Sequence, residues 1–217
     1  MDTETLIVGG GLSGLAVAKS LQANGQPFQL VEARPRLGGR ILTKSVSLAG
    51  RAAALDLGPA WFWPGQERIE RLIAEFGLGV FEQYASGALV YEDERGRVQL
   101  GRGHASMQGS LRMCGGLSLL IEALARDLPA SAIRLGHRAL AIGPIANGMV
   151  TRVEDSASRQ NTNIRSRRVV LAVPPRLAAA SIDLGMAISG PQIELMASMP
   201  TWMAGHAKIV AVYERPF

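Results

Sequence analysis

The stretch from Thr5 to Leu21, TLIVGGGLSGLAVAKSL, decides the fold of this chain. It begins as a short apolar strand, turns at consecutive glycines and continues as an amphipathic helix. The apolar stretch PFQLVEA at 27–33 follows a glycine that is suited to end the helix and predicts a second strand that ends in Glu32. A strand, a helix and a second strand of this size predict a β-α-β unit with a right-handed crossover. We therefore expect an α/β fold.

The turn after the first strand carries the spacing Gly9-x-Gly11-x-x-Gly14. Gly9 permits a tight turn, Gly11 lets a pyrophosphate group approach the backbone, and Gly14 lets the helix pack closely on the strand. The start of the helix supplies oriented N–H groups and partial positive charge, which favour an anion. Leu12 and Ser13 lie at this helix start and are candidate binding residues together with the glycines.

Glu32 ends the second strand, eighteen residues after Gly14. A carboxylate at this place can accept hydrogen bonds from ribose hydroxyls. With strand, helix, second strand and acid in place, the pattern predicts a Rossmann-like dinucleotide-binding domain. The competing interpretation is a glycine-rich turn in an ordinary α/β domain. The charge of Glu32 argues against NADP, because it would repel a 2′-phosphate, but this pattern leaves NAD and FAD open.

The composition is that of a globular protein, with 47% hydrophobic and 19% charged residues among 217. Cys114 is the one cysteine, which excludes an intramolecular disulfide and fits a reducing compartment. The first residues lack the basic region of a secretory signal, and no apolar run approaches the roughly 20 residues of a spanning helix. We therefore expect a cytoplasmic protein without a membrane span.

The net charge of +5 comes from arginines spread along the chain, with one cluster at 165–168. This cluster lacks interleaved aromatic residues and a recognisable nucleic-acid motif, so we expect a solvated face and no nucleic-acid partner. His104 and His137 have no metal-ligand spacing with acids or cysteines, and we expect no metal site. Ser13 and Ser118 lack the arrangement of a nucleophilic triad.

The rest of the chain alternates helical and strand patterns. Helices are expected at 66–77, 115–129 and 190–199, a hairpin at 87–100, strands at 132–135, 138–145, 148–153 and 167–173, and a buried strand at 205–214. Residues 34–64, rich in glycine and proline, are expected to form a long irregular segment. A segment of this length in a compact domain usually either has a function or contains structure that the sequence pattern does not reveal.

The residues that follow the second strand, EARPRLGGRI at 32–41, carry a second glycine pair and then an arginine. This run resembles the flavin-containing amine oxidase family, which includes monoamine, polyamine and L-amino-acid oxidases. In that family it is a signature of FAD binding, so the resemblance favours FAD over NAD. Glycines let the backbone come close to a cofactor, and the arginine supplies charge for a pyrophosphate. Contacts with FAD are implied for Ala33, Arg34, Gly38, Gly39 and Arg40.

Asp56–Trp63, DLGPAWFW, resembles the family's D-x-G-x-x-W segment, whose backbone runs beside the isoalloxazine ring. By that match the resemblance implies flavin contacts for Gly58, Pro59, Ala60 and Trp61. Core or interface packing is the competing interpretation for both tryptophans of the segment and the preferred one for Trp63.

Two further segments resemble the family near the cofactor. Ala139 falls where the family has a valine whose backbone meets the adenine. Pro174 is the first proline of RRVVLAVPP at 167–175, which resembles a family strand that ends in Pro-Pro and lies close to the cofactor. Cys114 does not match the family's covalent attachment site, so we expect it to be a small buried apolar residue and FAD to be bound non-covalently.

Lys208 begins KIVAVYERPF, which resembles a family segment with a lysine, an apolar strand and then Pro-Phe. In the family this lysine holds a water near flavin N5, and Lys208 is therefore the candidate catalytic residue. A partly desolvated amine can hold and polarise a water. The competing interpretation is a lysine whose stem snorkels from the edge of a strand. His206, two residues earlier, is a candidate for the same cavity or an ordinary core or surface histidine.

The resemblance implies an FAD-dependent oxidoreductase that oxidises a C–N bond of an amine or amino acid to an imine, with O2 as electron acceptor. Three alternatives stay open. The first is a flavoenzyme that resembles protoporphyrinogen oxidase or a desaturase. The second is a catalytically incomplete FAD-binding fragment or a subunit that needs a second chain. The third, an NAD-binding dehydrogenase module, is disfavoured by the second glycine pair.

Family members are longer than this chain, so we expect the N-terminal half of such an enzyme. The resemblance suggests an FAD-binding β-α-β unit and flavin-contacting loop at 1–77 and part of a substrate-domain insertion at 78–130. It further suggests a return to the FAD-binding domain at 131–189 and the start of a truncated substrate domain at 190–217.

Overall fold

The computed structural model describes residues 1–48, 50–85, 87–101, 107–201 and 205–213. The chain forms two compact units. The first consists of Met1–Leu42 and the residues from Ile121 onward, and the second is Thr43–Leu120. Within the described ranges, no helix has both the length and the apolar character needed to cross a membrane.

The helices and strands are numbered in chain order. The strands are β1 (Thr3–Val8), β2 (Phe28–Glu32), β3 (Thr43–Leu48), β4 (Arg51–Asp56), β5 (Val80–Glu82), β6 (Val90–Glu92), β7 (Val98–Leu100), β8 (Leu111–Met113), β9 (Ile133–Leu135), β10 (His137–Ile145), β11 (Gly148–Asp155) and β12 (Asn161–Leu171). The helices are α1 (Leu12–Ala23), α2 (Glu67–Phe76), α3 (Ser118–Arg126), α4 (Pro175–Ser181) and α5 (Gly190–Ser198), with a 3-10 turn at Ala130–Ala132.

The first unit contains a six-stranded sheet in the order β10-β11-β12-β1-β2-β9. β1 pairs in parallel with both β12 and β2, and β2 pairs in parallel with β9. β10, β11 and β12 form an antiparallel meander. Helix α1 connects β1 to β2, which confirms the predicted β-α-β unit.

The core of this unit joins the parallel strands to the meander and α4. The buried side chains of this core cluster are all aliphatic. They are Leu6, Val8, Val31, Ala139, Ile142, Val153, Ile164, Ala178, Ile182 and Leu184. Each fully buried leucine, isoleucine or valine stabilises the fold by roughly 1.5–3 kcal/mol. This core fixes the end of β1, where the glycine turn begins.

Most predicted elements are present with shifted ends. Helices at 66–77, 115–129 and 190–199 correspond to α2, α3 and α5, and α2 ends at Gly77 in the left-handed conformation. The hairpin at 87–100 corresponds to β6 and β7. In its turn, backbone and side-chain donors of Arg97 lower the pKa of the Asp93 carboxyl. Helix α4, which starts at a proline, is not among the predicted elements.

The prediction of an irregular segment at 34–64 is wrong for its central part. β3 and β4 pair as an antiparallel hairpin, with Thr43 opposite Asp56. β4 contains three consecutive alanines, Ala52–Ala54, and alanine is depleted in strands, so the sequence lacks a strand signal there. The pairing partner, rather than local propensity, makes this segment a strand.

The buried strand expected at 205–214 is also wrong for the described residues. Residues 205–213 form neither helix nor strand, and Ile209 is 91% exposed. A strand needs a neighbour to satisfy its backbone groups, and apolar alternation does not supply one. In the described ranges, none of β1–β12 pairs with this segment.

A hydrogen-bonded cluster joins the β3–β4 hairpin to the start of α3. The buried Asp56 accepts, at Oδ1, hydrogen bonds from Thr43 Oγ1 and from the Leu117 N–H at 2.9 Å. The Thr43 N–H donates to Ser118 Oγ at 2.9 Å, and the Ser118 N–H donates to Thr43 Oγ1 at 3.0 Å. These contacts satisfy N–H groups at the helix start that the helix itself leaves without acceptors.

Replacement of Asp56 by alanine should destabilise the protein by about 2–3 kcal/mol, because it leaves the buried Leu117 N–H without its acceptor and the partly buried Thr43 hydroxyl without the group to which it donates. Asp56→Asn keeps an acceptor oxygen and should cost less. Urea unfolding with an unchanged slope measures the difference. Glu122→Ala, on the exposed side of α3, is the control and should unfold like the parent protein. An Asp56→Ala protein with the parent midpoint would contradict this account of the cluster.

Candidate functional site

The first and third glycines of the turn have steric reasons for lacking a side chain. Gly9 has a φ of +111°, and a Cβ there would lie 2.7 Å from both the carbonyl oxygen of Ala172 and Cγ1 of Val173. A Cβ on Gly14 would overlap the carbonyl oxygen of Gly9. The end of β1, the start of α1 and the segment after β12 are therefore packed backbone against backbone. This agrees with the tight turn and the close helix packing that the sequence predicts.

Gly11 differs from the other two because the space beside it is open. It precedes α1 with a φ of −80°, and a Cβ there would meet only the Cα of Gly39, at 3.8 Å. No side chain caps α1, and its first turn contains no acidic residue. The first N–H groups of the helix, near Leu12 and Ser13, therefore receive no side-chain acceptor from the N-cap residue, Gly11. An anion approaching Gly11 would meet oriented N–H groups.

A second glycine turn lies against the first. The Gly38 N–H donates to the Gly10 carbonyl at 2.8 Å, and Gly11 and Gly38 form an isolated β-bridge. Gly38 and Gly39 have φ values of +101° and +58°. A Cβ on Gly39 would lie 3.2 Å from the Cα of Gly11. Two glycine-rich segments that the sequence analysis treats separately thus form one wall.

Glu32 is only 8% exposed and braces the first turn. Its Oε2 accepts the Gly10 N–H at 2.7 Å, and its Oε1 accepts the Arg34 N–H at 2.9 Å. A carboxylate has about four lone-pair sites, so two stay available for ribose hydroxyls. The predicted ribose role is compatible with this geometry, but the brace itself was not predicted.

Gly10 is a site residue that the sequence analysis missed. Its N–H donates to Glu32 and its carbonyl accepts from Gly38, so its two peptide groups hold the acid and the second turn together. A Cβ at Gly10 would lie 2.7 Å from Cδ2 of Leu37. In the G-x-G-x-x-G spacing this position is variable, and the only signal in the sequence is a third consecutive glycine.

Two arginines hold the second turn through backbone carbonyls. Arg34 Nη1 donates to the Gly39 carbonyl at 3.0 Å. Arg36 donates to the carbonyls of Leu37, Ile41 and Gly39 at 3.0, 3.2 and 2.9 Å. Arg36 was not among the predicted residues. Ala33 and Arg40 were predicted to contact FAD, and both are exposed in the same segment.

The segment matched to D-x-G-x-x-W lies in the second unit. Phe62 exchanges backbone hydrogen bonds with Leu111 at 3.1 and 2.7 Å, and Trp61 Nε1 donates to Gln83 Oε1 at 2.9 Å. Ala60 is buried beside Phe62, while Trp61 and Trp63 are 40% and 37% exposed. The core part of the core-or-interface interpretation of Trp63 is therefore wrong, because Phe62 takes the core position. Interface packing of Trp63 stays a prediction. Gly58 and Pro59 precede these residues without a helix or strand.

The remaining predicted residues are dispersed. Pro174 follows Val173, which faces Gly9, and Ala139 is buried in the core on β10. Lys208 lies on the exposed segment 205–213. Cys114 is exposed, so its interpretation as a buried residue is wrong; it follows β8 at the surface. The described residues contain no cluster of three or more His, Cys, Asp or Glu side chains that could bind a metal, and His104 lies outside them.

Comparison with known proteins gives a consistent result. A family model described as flavin containing amine oxidoreductase matches residues 12–107 and 81–217. Putrescine oxidase of Kocuria rosea is 35% identical over 91 residues, which are 42% of this chain and 18% of that protein. Human amine oxidase [flavin-containing] B is 39% identical over 79 residues, 36% of this chain and 15% of that protein. The chain thus matches less than a fifth of the length of either relative.

A solved structure extends the similarity to the fold. Cyclohexylamine oxidase from Brevibacterium oxydans superposes with a TM-score of 0.76 at 16% identity. The match covers 91% of this chain and 63% of that one. At this identity the likeness shows the fold, which confirms the expected α/β class, and the family model indicates FAD as the cofactor.

Gly11→Ala should weaken FAD binding at least about tenfold without unfolding the protein. Its φ suits alanine, and the new methyl group meets only Gly39 within the chain, so it projects into the open space beside the helix start. Quenching of flavin fluorescence on titration measures the affinity. Gly14→Ala should instead destabilise the fold, because its methyl group collides with the Gly9 carbonyl.

Gly25→Ala is the matched control at the other end of α1. Its φ of +65° makes alanine somewhat strained there, but nothing lies within 4 Å of the new methyl group. It should lower stability slightly and leave FAD affinity unchanged. Equal FAD affinity of Gly11→Ala and the parent protein would contradict the assignment of Gly11 to the cofactor.

Proposed function

Because the chain belongs to the flavin-containing amine oxidoreductase family, we propose that it supplies the FAD-binding part of an amine-oxidising enzyme. The proposed reaction converts a C–N bond of an amine or amino acid to an imine, with O2 as electron acceptor. The observation that carries the proposal is the wall of two contacting glycine turns braced by the buried Glu32. Such a wall suits a dinucleotide rather than a small anion, because it joins an anion site to a ribose acceptor.

The proposed cofactor contacts divide by chemistry. The first N–H groups of α1 and the open face of Gly11 hold the pyrophosphate, and Glu32 accepts from ribose hydroxyls. Arg34 and Arg40 supply positive charge near the phosphates. The family resemblance implies that Gly58, Pro59, Ala60 and Trp61 lie beside the flavin ring. It also implies that Ala139 lies near the adenine and that Pro174 lies close to the cofactor. FAD, when bound, accepts the two electrons removed from the carbon that carries the amine and passes them to O2.

Lys208 is the proposed catalytic residue. Its role would be to hold and polarise a water next to the reacting edge of the flavin, which requires a partly desolvated amine. The apolar residues around it, Ile209 and Val210, support such an environment only when another surface covers them, since both are exposed in this structure.

The alternatives are weakened to different degrees. The relatives named above are, by name, amine oxidases, which favours an amine over a tetrapyrrole or polyene substrate. The second glycine turn disfavours a nicotinamide-binding module. A further alternative is that the chain binds FAD but needs a second chain or additional residues for activity. This alternative stays a proposal, and it is supported by the small part of each relative that the chain matches. The cytoplasmic location also stays a prediction.

The test uses the chain loaded with FAD and freed of unbound flavin by gel filtration. We expect yellow protein with released, non-covalent FAD on denaturation. Under anaerobic conditions a primary amine such as putrescine or cyclohexylamine should bleach the flavin absorbance, and air should restore it with release of peroxide. Lys208→Met should keep bleaching by the amine but slow reoxidation by at least about tenfold.

Lys44→Met, the same substitution at an exposed lysine of β3, is the matched control and should reoxidise at the parent rate. Binding of NAD without yellow colour would overturn the FAD assignment. If the yellow protein is not bleached by any amine or amino acid, the chain binds FAD but does not catalyse the reaction alone. The alternative of a catalytically incomplete FAD-binding chain would then be favoured. Recovery of bleaching on addition of the C-terminal part of a related oxidase would then establish that dependence.

A further inference from the structure

Arg36 uses most of the N–H donors of its guanidinium group inside its own loop. The side chain is half-buried, and Nη1 donates to the carbonyls of Leu37 and Ile41 while Nη2 donates to that of Gly39. Three of its five N–H donors therefore bond backbone carbonyls within five residues. An arginine committed in this way shapes the backbone around it rather than a distant partner.

The backbone that Arg36 holds is the second glycine turn. Two consecutive glycines with positive φ have many accessible conformations, so the turn is not fixed by its own sequence. The Ile41 N–H also donates to the Gly38 carbonyl at 2.9 Å, which closes the loop around the guanidinium. A Cβ on Gly38 would lie 3.6 Å from Arg36 Nη1, so the guanidinium lies directly beside the turn. Only a planar fork with separated donors reaches all three carbonyls at once.

The charge of Arg36 is not neutralised by an acid in the described part of the chain, where no carboxylate lies within ion-pair distance of it. The turn that it holds contacts Gly10 and Gly11, beside the open start of α1. The fixed turn therefore also carries a positive charge next to the proposed phosphate position, which favours an anion there.

We infer that Arg36 is a positioning residue for FAD: it holds the Gly38–Gly39 turn in the conformation that contacts Gly11 and walls the pyrophosphate site. The inference rests on the proposed FAD site. It differs from the charge roles proposed for Arg34 and Arg40, because Arg36 acts through the backbone and needs no contact with the cofactor. Arg34 adds one bond to the same turn, to the Gly39 carbonyl, whereas Arg36 bonds three carbonyls. Geometry, more than charge, is what the side chain supplies.

The test compares Arg36→Lys and Arg36→Gln with the parent chain. Lysine keeps the charge but presents its donors from one point, so it cannot bond three separated carbonyls. Both variants should bind FAD at least about tenfold more weakly. In the cofactor-free chain, the Gly38 and Ile41 amides should exchange hydrogen faster in both variants, while amides of β11 keep their protection. Arg167→Gln, an exposed arginine on β12, is the charge-matched control and should change neither quantity.

Each result decides one point. Parent-like FAD affinity and amide protection in Arg36→Lys, with losses only in Arg36→Gln, would overturn the geometric role in favour of charge. Unchanged amide exchange in both variants would overturn the inference altogether, as would faster exchange over the whole chain, which would indicate a general folding defect. If the parent chain itself does not bind FAD, the proposed function fails. The amide exchange of the cofactor-free chain still decides whether Arg36 holds the turn.

Discussion

The peptide groups on either side of Gly10 are the constraint on which the candidate site depends. The N–H of Gly10 donates to the buried Glu32 at the end of β2, and its carbonyl accepts from Gly38 in the second turn. The glycine turn, the end of β2 and the second turn thus meet at one residue, where a Cβ would lie 2.7 Å from Cδ2 of Leu37 and 3.0 Å from Cβ of Glu32. The acid, the helix start and the second turn take their relative positions from these two hydrogen bonds, because each bond is buried or partly buried and costly to leave unmade.

Local sequence patterns predicted the elements that local physics determines. The β-α-β unit follows from an apolar strand, an amphipathic helix and glycines at fixed spacing, and it is present with α1 between β1 and β2. Contacts between distant segments were not predictable in this way. The brace from Glu32 to Gly10 and the hydrogen bond from Gly38 to Gly10 depend on partners that no short window contains. The carbonyl bonds of Arg36 and the pairing of the alanine-rich β4 with β3 are closer in sequence, but they depend on a backbone geometry that the residue types do not specify.

Burial was the least predictable property, for the same reason. Cys114 and Trp63 have residue types that favour the interior, yet both are exposed, and Phe62 fills the core position beside Trp63. The apolar run that contains Lys208 has the pattern of a strand but no pairing strand among β1–β12. Residue type sets a preference, and the available neighbours decide the outcome.

In the second unit, one sequence pattern combines a structural side chain with a proposed cofactor contact. Asp56 opens the segment that resembles the family's flavin-contacting run, but its carboxylate accepts from Thr43 and from the start of α3. Its side chain is therefore structural, whatever the backbone after it contacts. The residue types of such a segment do not separate these roles, whereas the hydrogen bonds do.

The central claim is that FAD binds at the wall formed by the two glycine turns. A crystal structure of the chain with FAD tests it most directly. We predict the pyrophosphate beside Gly11 and within hydrogen-bond distance of the first N–H groups of α1, with a ribose hydroxyl on Glu32. FAD bound elsewhere, or a carboxylate of Glu32 that does not contact the ribose, would contradict the account.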